Sequence, residues 1–425
     1  MKKIVALVLM AACLLSVAGI AFADGEFAGR TLHVAWDSCE MDEAWQAEID
    51  AFCEKYGCEV EVEFVTANAA GGSTYGIRAA NGTLPDVFAN SIGAQLEEIF
   101  PAETLIDISG YDFIENIADA YVEASRTSDG GLYAVPTRTS NVAGVFYNKA
   151  KFAELGLEIP ETWDEFLETC KWIRENTDMD PVCNPYDGAA GRQITYLAQY
   201  FYVHQDDPDF VKKYLAQEVD LHDSAAIMRG LQKVYDQWEL GYQNEDPLST
   251  SLENAALALC EGEAAFVICR TNIMTNVEIV APECYNDLGF FPLPDTDADA
   301  RGVAVWMPTG WVASQNGTDP ELAVKFLEFL TTEEAITAFC SKAIPTGAFM
   351  VKGVTLPDTV SVAVREAQEW VSKASQPVME YVCPIKGTNL PVILSMVGTG
   401  DLTPDEGIEQ IEADFRLYAE QQEIW

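Results

Sequence analysis

GGLYAVPTRTSNVAGVFYNKAKFAELGLEIPETWDEFLETCK, residues 130–171, decides how this chain is read. Two short apolar runs, Leu132–Val135 and Val142–Tyr147, are bounded by breakers and rich in β-branched or aromatic side chains, so both are expected to be strands. The segment between them, Pro136 to Asn141, is a polar crossing that carries Arg138 and Ser140. A helix start follows. Thr162 and Glu165 have capping-box spacing, Pro160 precedes them, and Phe166, Cys170 and Ile173 recur at helical period. The spacing predicts a helix over 163–175.

This stretch resembles the first inter-lobe crossing of the extracellular solute-binding proteins of ABC importers, in the family typified by maltose-binding and other sugar-binding proteins. The family pattern runs YAVP, then YNKxxFxxxGLxxPxTW, and nearly all of it is present here. Three further landmarks extend the resemblance over most of the chain. Leu84-Pro85-Asp86-Val87-Phe88 resembles a strand whose carboxyl end opens on the ligand cleft. Leu252–Phe266 with the strand 265–269 resembles a helix–turn–strand of the second lobe. Leu288–Pro294 resembles the second crossing and Ile344-Pro345-Thr346 the third.

Working outward, Met1–Ala23 reads as an export leader. Lys2 and Lys3 precede an apolar run, and Ala21-Phe22-Ala23 is a small-residue cleavage site. Cys13 lies inside the apolar run without the following Gly or Ser of a lipid-modified terminus, so no lipid anchor is expected. The product is expected outside the inner membrane, in a periplasm or an open exterior. No later stretch approaches the roughly 18 apolar residues of a spanning helix. The formal charge of −43 disfavours binding to nucleic acid or anionic lipid and fits solubility. Of eleven cysteines, ten follow the leader, an even number that permits disulfides without fixing their pairing. No C-x-x-C occurs. Cys53, Cys170 and Cys340 fall at apolar helical positions, where a free buried thiol is the ordinary reading.

About 400 residues after cleavage suit two or three domains at about 100–200 residues each. Strand 31–36, a helical stripe of Trp45, Ile49, Phe52 and Tyr56 ended by Gly57, and the alternating run Val60, Val62, Phe64 give a strand–helix–strand order. That order predicts a mainly parallel sheet covered by helices. Asp319-Pro320 starts a later helix, Thr331 and Glu334 another, and helices are expected from 345 to Trp425. The loop 292–301, with its spaced aspartates, is the expected mobile segment. The resemblance implies a two-lobe α/β fold of the periplasmic-binding type (type II-like), each lobe with a central sheet, joined by three crossings. The expected lobes are 24–137 with 292–344, and 138–291 with 345–425.

Enzyme signatures are missing: no Walker loop, no G-x-S-x-G, no H-E-x-x-H and no complete G-x-G-x-x-G. His33, His204 and His222 are not spaced as ligands. Asp295, Asp297 and Asp299 imitate an EF-hand start, but Ala300 stands where glycine is needed and Trp306 where the closing acid belongs. No catalytic residue, metal or cofactor is expected. Ligands of open α/β sheets sit outside the carboxyl ends of strands, and sugars suit clefts where aromatic faces meet Asp, Asn and Arg. The candidate contacts are Trp36, Asp37, Tyr75, Asn90, Ser91, Arg138, Asn141, Tyr186, Arg270, Asn272, Thr309 and Trp311. Trp163 and Trp172 resemble site aromatics by type alone, and their helical phase assigns them to packing or surface. Truncating Trp311 is expected to weaken binding and leave the fold intact.

The resemblance implies a monomeric binding protein that captures a sugar or oligosaccharide between its lobes, closes by hinge bending, and is recognised by a membrane permease. Two alternatives stay open: a non-sugar solute such as a polyamine or a peptide on the same fold, and a secreted hydrolase.

Overall fold

The computed structural model describes residues 25–37, 43–65, 74–137 and 139–425, without the side chain of Asp37. The leader and Arg138 lie outside the described residues. Two compact units emerge. One takes the described residues up to Ala89 together with Glu103–Ile106 and Trp311–Ala343, the other Asn90–Ala102, Asp107–Gly310 and Ile344–Trp425.

The first unit is built on strands β1 (Thr31–Asp37), β2 (Glu59–Val65) and β3 (Val87–Asn90), with β10 (Gly310–Ala313) arriving late in the chain, in the order β2-β1-β3-β10. β1 pairs in parallel with both neighbours, Val34 opposite Val62 on one side and Val87 on the other. The parallel arrangement follows from the crossover helix Glu43–Tyr56, long enough to return the chain to the same end of the sheet. Its buried face, Trp45, Ile49 and Phe52, is the stripe read from sequence, and Phe52 packs on Phe326 and Phe329 of helix Pro320–Leu330. That helix starts as expected, with Asp319 accepting from Leu322 N–H and Pro320 in the first turn. The next one, Glu333–Cys340, is capped by Thr332 rather than Thr331. β2 is the edge strand, and its Phe64 ring is exposed, so its alternation marks an uncovered border rather than a buried face.

Asp86, from the Leu-Pro-Asp-Val-Phe landmark, is 2% exposed and serves the sheet. Its carboxylate accepts from His33 N–H at 2.9 Å, from the Thr318 hydroxyl at 2.8 Å and from Thr318 N–H. Asp86→Ala strands those donors out of water, an expected loss of about 1–3 kcal/mol. Guanidinium titration of the first unit checks it, and an unchanged midpoint refutes the role.

The second unit holds β4 (Ala134–Pro136), β5 (Asn141–Asn148), β6 (Asp180–Val182), β7 (Ala264–Arg270), β8 (Leu288–Phe291), β9 (Val303–Trp306) and β11 (Ser375–Pro377). The sheet order is β11-β9-β5-β7-β6, with β8 also on β5. Here the sheet is mixed rather than mainly parallel: β5 runs antiparallel to β7, β8 and β9, while β6–β7 and β11–β9 are parallel. β5 is apolar along its length because it is buried on both faces. Gly144 permits this, since a side chain there would meet the Phe290 ring at 2.4 Å.

Helix Trp163–Asn176 carries the full capping box, Thr162 and Glu165 bonding reciprocally. Its Phe166, Cys170 and Ile173 join Val145, Phe266, Ile268 and Phe291 in one apolar cluster. Trp163 sits in that cluster with its indole N–H on Asp236 at 2.7 Å, and Trp172 is on the surface. A second cluster is drawn mainly from helices and includes Tyr214, Leu231, Val234, Leu394 and Ile411. The loop expected to be mobile is pinned at its start. Pro292 to Asp295 are buried, and only the residues from Thr296 onward reach solvent.

Candidate functional site

In the first unit the candidate aromatics form one stack. Trp36, near the carboxyl end of β1, lies 4.4 Å from Trp311 of β10 and 5.1 Å from Trp45, and the Trp45–Trp311 centroids are 5.3 Å apart. All three are 1% exposed or less. Sequence reasoning gave Trp45 to the core by its helical phase and Trp36 and Trp311 to the site by their positions. The structure puts the three in a single body. The Trp311 indole N–H is buried and meets no acceptor among the described residues. Tyr75 is nearly buried against Phe88, with ring centroids 4.4 Å apart. Asp37 closes β1, where its side chain is not described.

Asn90 closes β3. Its side-chain oxygen accepts from Ser91 N–H at 2.9 Å, while its amide nitrogen is buried without an acceptor among the described residues.

In the second unit, the carboxyl ends of β7 and β9 and the start of β5 meet. Arg270 ends β7, opposite Ala143 of β5, and Trp306 ends β9, opposite Asn141. The Arg270 guanidinium lies 5.6 Å over the Trp306 ring. Burial is the largest influence on it and holds its pKa below the usual arginine value, against the opposing fields of Tyr381 and Glu380. No ion-pair partner for Arg270 is seen among the described residues. Thr271 knits the neighbourhood together. Its hydroxyl accepts from Val142 N–H at 3.2 Å and donates to the Asn141 side-chain oxygen at 3.4 Å. Tyr381 completes the wall by donating to Met307 O at 2.9 Å. Trp306 and Tyr381 escaped the sequence reading as site residues. Thr271 stands between the expected Arg270 and Asn272, whereas nothing local marks Tyr381, which comes from a distant one-turn helix.

The remaining candidates are scattered. Asn272 precedes helix Ile273–Val280 and is half-buried. Thr309 is tied to Thr137, hydroxyl to hydroxyl at 2.9 Å and with its carbonyl accepting from Thr137 N–H at 3.0 Å. Tyr186 is 2% exposed, and burial raises its phenol pKa. Its carbonyl accepts from Arg192 at 2.6 Å, so it sits among helices rather than with Arg270.

Among the described residues no cluster of His, Cys, Asp and Glu could hold a metal ion, and no helix is long and apolar enough to cross a membrane.

Comparison with known proteins places this geometry in a family. The chain is 31% identical to a multiple sugar-binding protein of Streptococcus mutans over 136 residues, which is 32% of this chain and 31% of that protein. It is 25% identical to a xylose/arabinose-binding protein of Haloferax volcanii over 73% of this chain and 67% of that one. The structure of apo RafE from Streptococcus pneumoniae superposes with a TM-score of 0.74 at 21% identity, over 91% of this chain and 97% of that chain. That likeness carries the two-lobe α/β fold expected from the sequence. The profile of the bacterial extracellular solute-binding proteins matches residues 39–337, well over half the chain. On that breadth of match, the chain belongs to the bacterial extracellular solute-binding proteins.

Proposed function

We propose that this protein is the solute-binding component of an ABC importer, that it captures a sugar or oligosaccharide, and that a membrane permease takes the solute from it. The observation that carries the reading is Arg270: a desolvated guanidinium at the end of β7, laid on Trp306, with Asn141 and Thr271 beside it. An aromatic face, an arginine and a side-chain amide together fit a ring with hydroxyl groups. The names of the relatives, multiple sugars in one and xylose or arabinose in another, point the same way. A polyamine would need carboxylates at this place, and the arginine repels it. The hydrolase reading is the less favoured one, because the family is one of solute-binding proteins.

Export by the leader, action as a monomer, and the two lobes with boundaries near 137, 291 and 344 belong to the same proposal. Opening and closing would follow from a solute that contacts both lobes.

A thermal-shift panel of mono- and oligosaccharides, amino acids and polyamines tests the proposal. A sugar at 100 times its Kd should stabilise by about 2.7 kcal/mol. Chromatography of the incubated sugar should show no product. Arg270→Ala should weaken the active sugar by roughly tenfold or more, the loss of a hydrogen bond to a charged group. Stabilisation by a polyamine and by no sugar would overturn the assignment.

A further inference from the structure

Nine described cysteines are free thiols in this structure, yet four of them stand in two facing pairs. The thiols of Cys53 and Cys58 face each other, and so do those of Cys260 and Cys284, each being the foremost influence on its partner's ionisation.

The first pair is a product of helix termination. Helix Glu43–Tyr56 ends at Gly57, whose φ of 71° is left-handed and whose N–H reaches Cys53 O at 2.9 Å. In such a cap the side chains two residues past the end and three before it come together, an apolar contact in most proteins. Here those two positions are Cys58 and Cys53.

The second pair is tertiary. Cys260 lies in the last turn of helix Leu252–Glu261, which packs on helix Ile273–Val280, and Cys284 ends the one-turn helix Pro282–Cys284 that follows. One short segment ties both backbones together: the Asn148 side-chain amide donates to Cys260 O at 3.5 Å, Lys149 N–H donates to Asp287 O at 2.9 Å, and Asp287 N–H donates to Cys284 O at 2.8 Å. Both pairs stay inside one unit each, so neither depends on how the units are disposed.

The other thiols differ. Cys383 donates to Ile385 O at 3.7 Å, and Cys170 is enclosed in the apolar cluster around Phe166. Reading Cys53 from its helical phase as one more buried thiol missed its partner, because the partner lies past the helix end.

We propose that Cys53–Cys58 and Cys260–Cys284 are two disulfide sites, oxidised outside the cytoplasm by exchange with a small-molecule or protein disulfide. The family is extracellular, and there such oxidants act on thiols. The chemistry closes without further reactants. A protein thiolate attacks RSSR, giving a mixed disulfide and RS⁻. Its neighbour then loses its proton, attacks the mixed disulfide and expels the second RS⁻. Two protein thiols and RSSR become one protein disulfide and two RSH, so two electrons and two protons pass to the oxidant. In each pair one thiol is depressed and its partner raised, Cys53 against Cys58 and Cys284 against Cys260, chiefly by the influence of each thiol on the other. The depressed member is the ready nucleophile. Cys53 and Cys260 are half-exposed, which gives each pair a side open to the oxidant.

The test treats the full reduced chain with oxidised glutathione, then alkylates under denaturing conditions and maps peptides by mass spectrometry. The expected result is two cross-links, Cys53–Cys58 and Cys260–Cys284, with loss of the mass of four thiol hydrogens and a higher Tm that dithiothreitol reverses. Cys53→Ser should remove only the first cross-link and Cys260→Ser only the second. Full alkylation of all four thiols, a stable glutathione adduct in place of a cross-link, or pairing of these cysteines with others would each overturn the proposal.

Discussion

Asp295→Ala is expected to destabilise the second unit by about 3–5 kcal/mol at pH 6, because it leaves a buried ammonium without its counter-charge. Lys233 and Asp295 are 2% and 3% exposed at their side chains and lie 2.8 Å apart. The Lys233 ammonium also donates to Gln199 Oε1 at 2.8 Å and Pro294 O at 2.6 Å, and it faces the rings of Trp163 and Tyr202. Arg229 closes the group from the outside, 2.7 Å from Asp295 and 3.2 Å from Asp206. Removing the carboxylate leaves Lys233 with two neutral acceptors. Arg229 keeps Asp206 and is only partly affected.

The pH dependence gives this prediction its sign. Burial lowers the Lys233 ammonium to about 8, with Asp295 opposing the fall. The folded chain therefore holds that proton less tightly than the unfolded chain. The cost of the charge is present below pH 8 and is relieved as pH rises toward the ordinary lysine value near 10.5. Without Asp295 the relief begins at lower pH, so the deficit of Asp295→Ala should shrink between pH 6 and pH 9. For Asp295 itself, burial pushes its pKa up, but Lys233 and Arg229 outweigh that and leave it below the usual value. Its stabilisation is present above pH 4 or so and fades as pH falls through the folded value. Adding Lys233→Met to Asp295→Ala should recover most of the loss, since the stranded charge is then gone. Urea titrations of the wild type and the two variants at pH 6 and pH 9 decide the matter. A single variant within about 1 kcal/mol of wild type at pH 6 would show that the pair carries no such weight.

How far a sequence reading reaches is visible in the same loop. Asp295 fell in a run of spaced aspartates and read as loop, because a buried partner 62 positions earlier, Lys233, leaves no local mark. Elements set by neighbouring residues were legible. The Thr162–Glu165 box, the Asp319-Pro320 start and the β5 and β7 strands emerged within a residue or two, since caps and apolar periodicity act over one turn or one strand. The antiparallel course of β5 was not legible, because strand direction depends on what the chain does tens of residues away. At the candidate site, Arg270 and Asn141 were reached through strand ends, whereas Trp306 and Tyr381 are joined to them only by folding. Residue type says less than packing here: Trp36 and Trp311 have the look of contact residues, and only the fold reveals that Trp45 shares their stack.

That stack changes what Trp311→Ala should do. From sequence the substitution was expected to spare the fold. With Trp311 wholly buried against both Trp36 and Trp45 and edge-on to Phe326 at 5.8 Å, removing the indole opens a cavity in the first unit. A loss of about 3–5 kcal/mol is expected from the truncation, more than the first unit gains from any surface contact. The change has a physical basis: three rings mutually at 4.4–5.3 Å support one another, so deleting one withdraws contacts from both others. Trp311→Phe separates packing from binding. It keeps a ring in the stack and deletes the buried N–H that meets no acceptor among the described residues. Removing an unpaired donor lifts a desolvation cost, which offsets part of the lost ring volume. The first-unit unfolding midpoint of Trp311→Phe should therefore lie much closer to wild type than that of Trp311→Ala. If the N–H is kept for a solute hydroxyl, sugar affinity in Trp311→Phe should fall several-fold at nearly unchanged stability, read by calorimetric titration beside guanidinium unfolding. Wild-type affinity in Trp311→Phe would assign this tryptophan to the core alone. Wild-type stability in Trp311→Ala would instead dissolve the stack as a packing element.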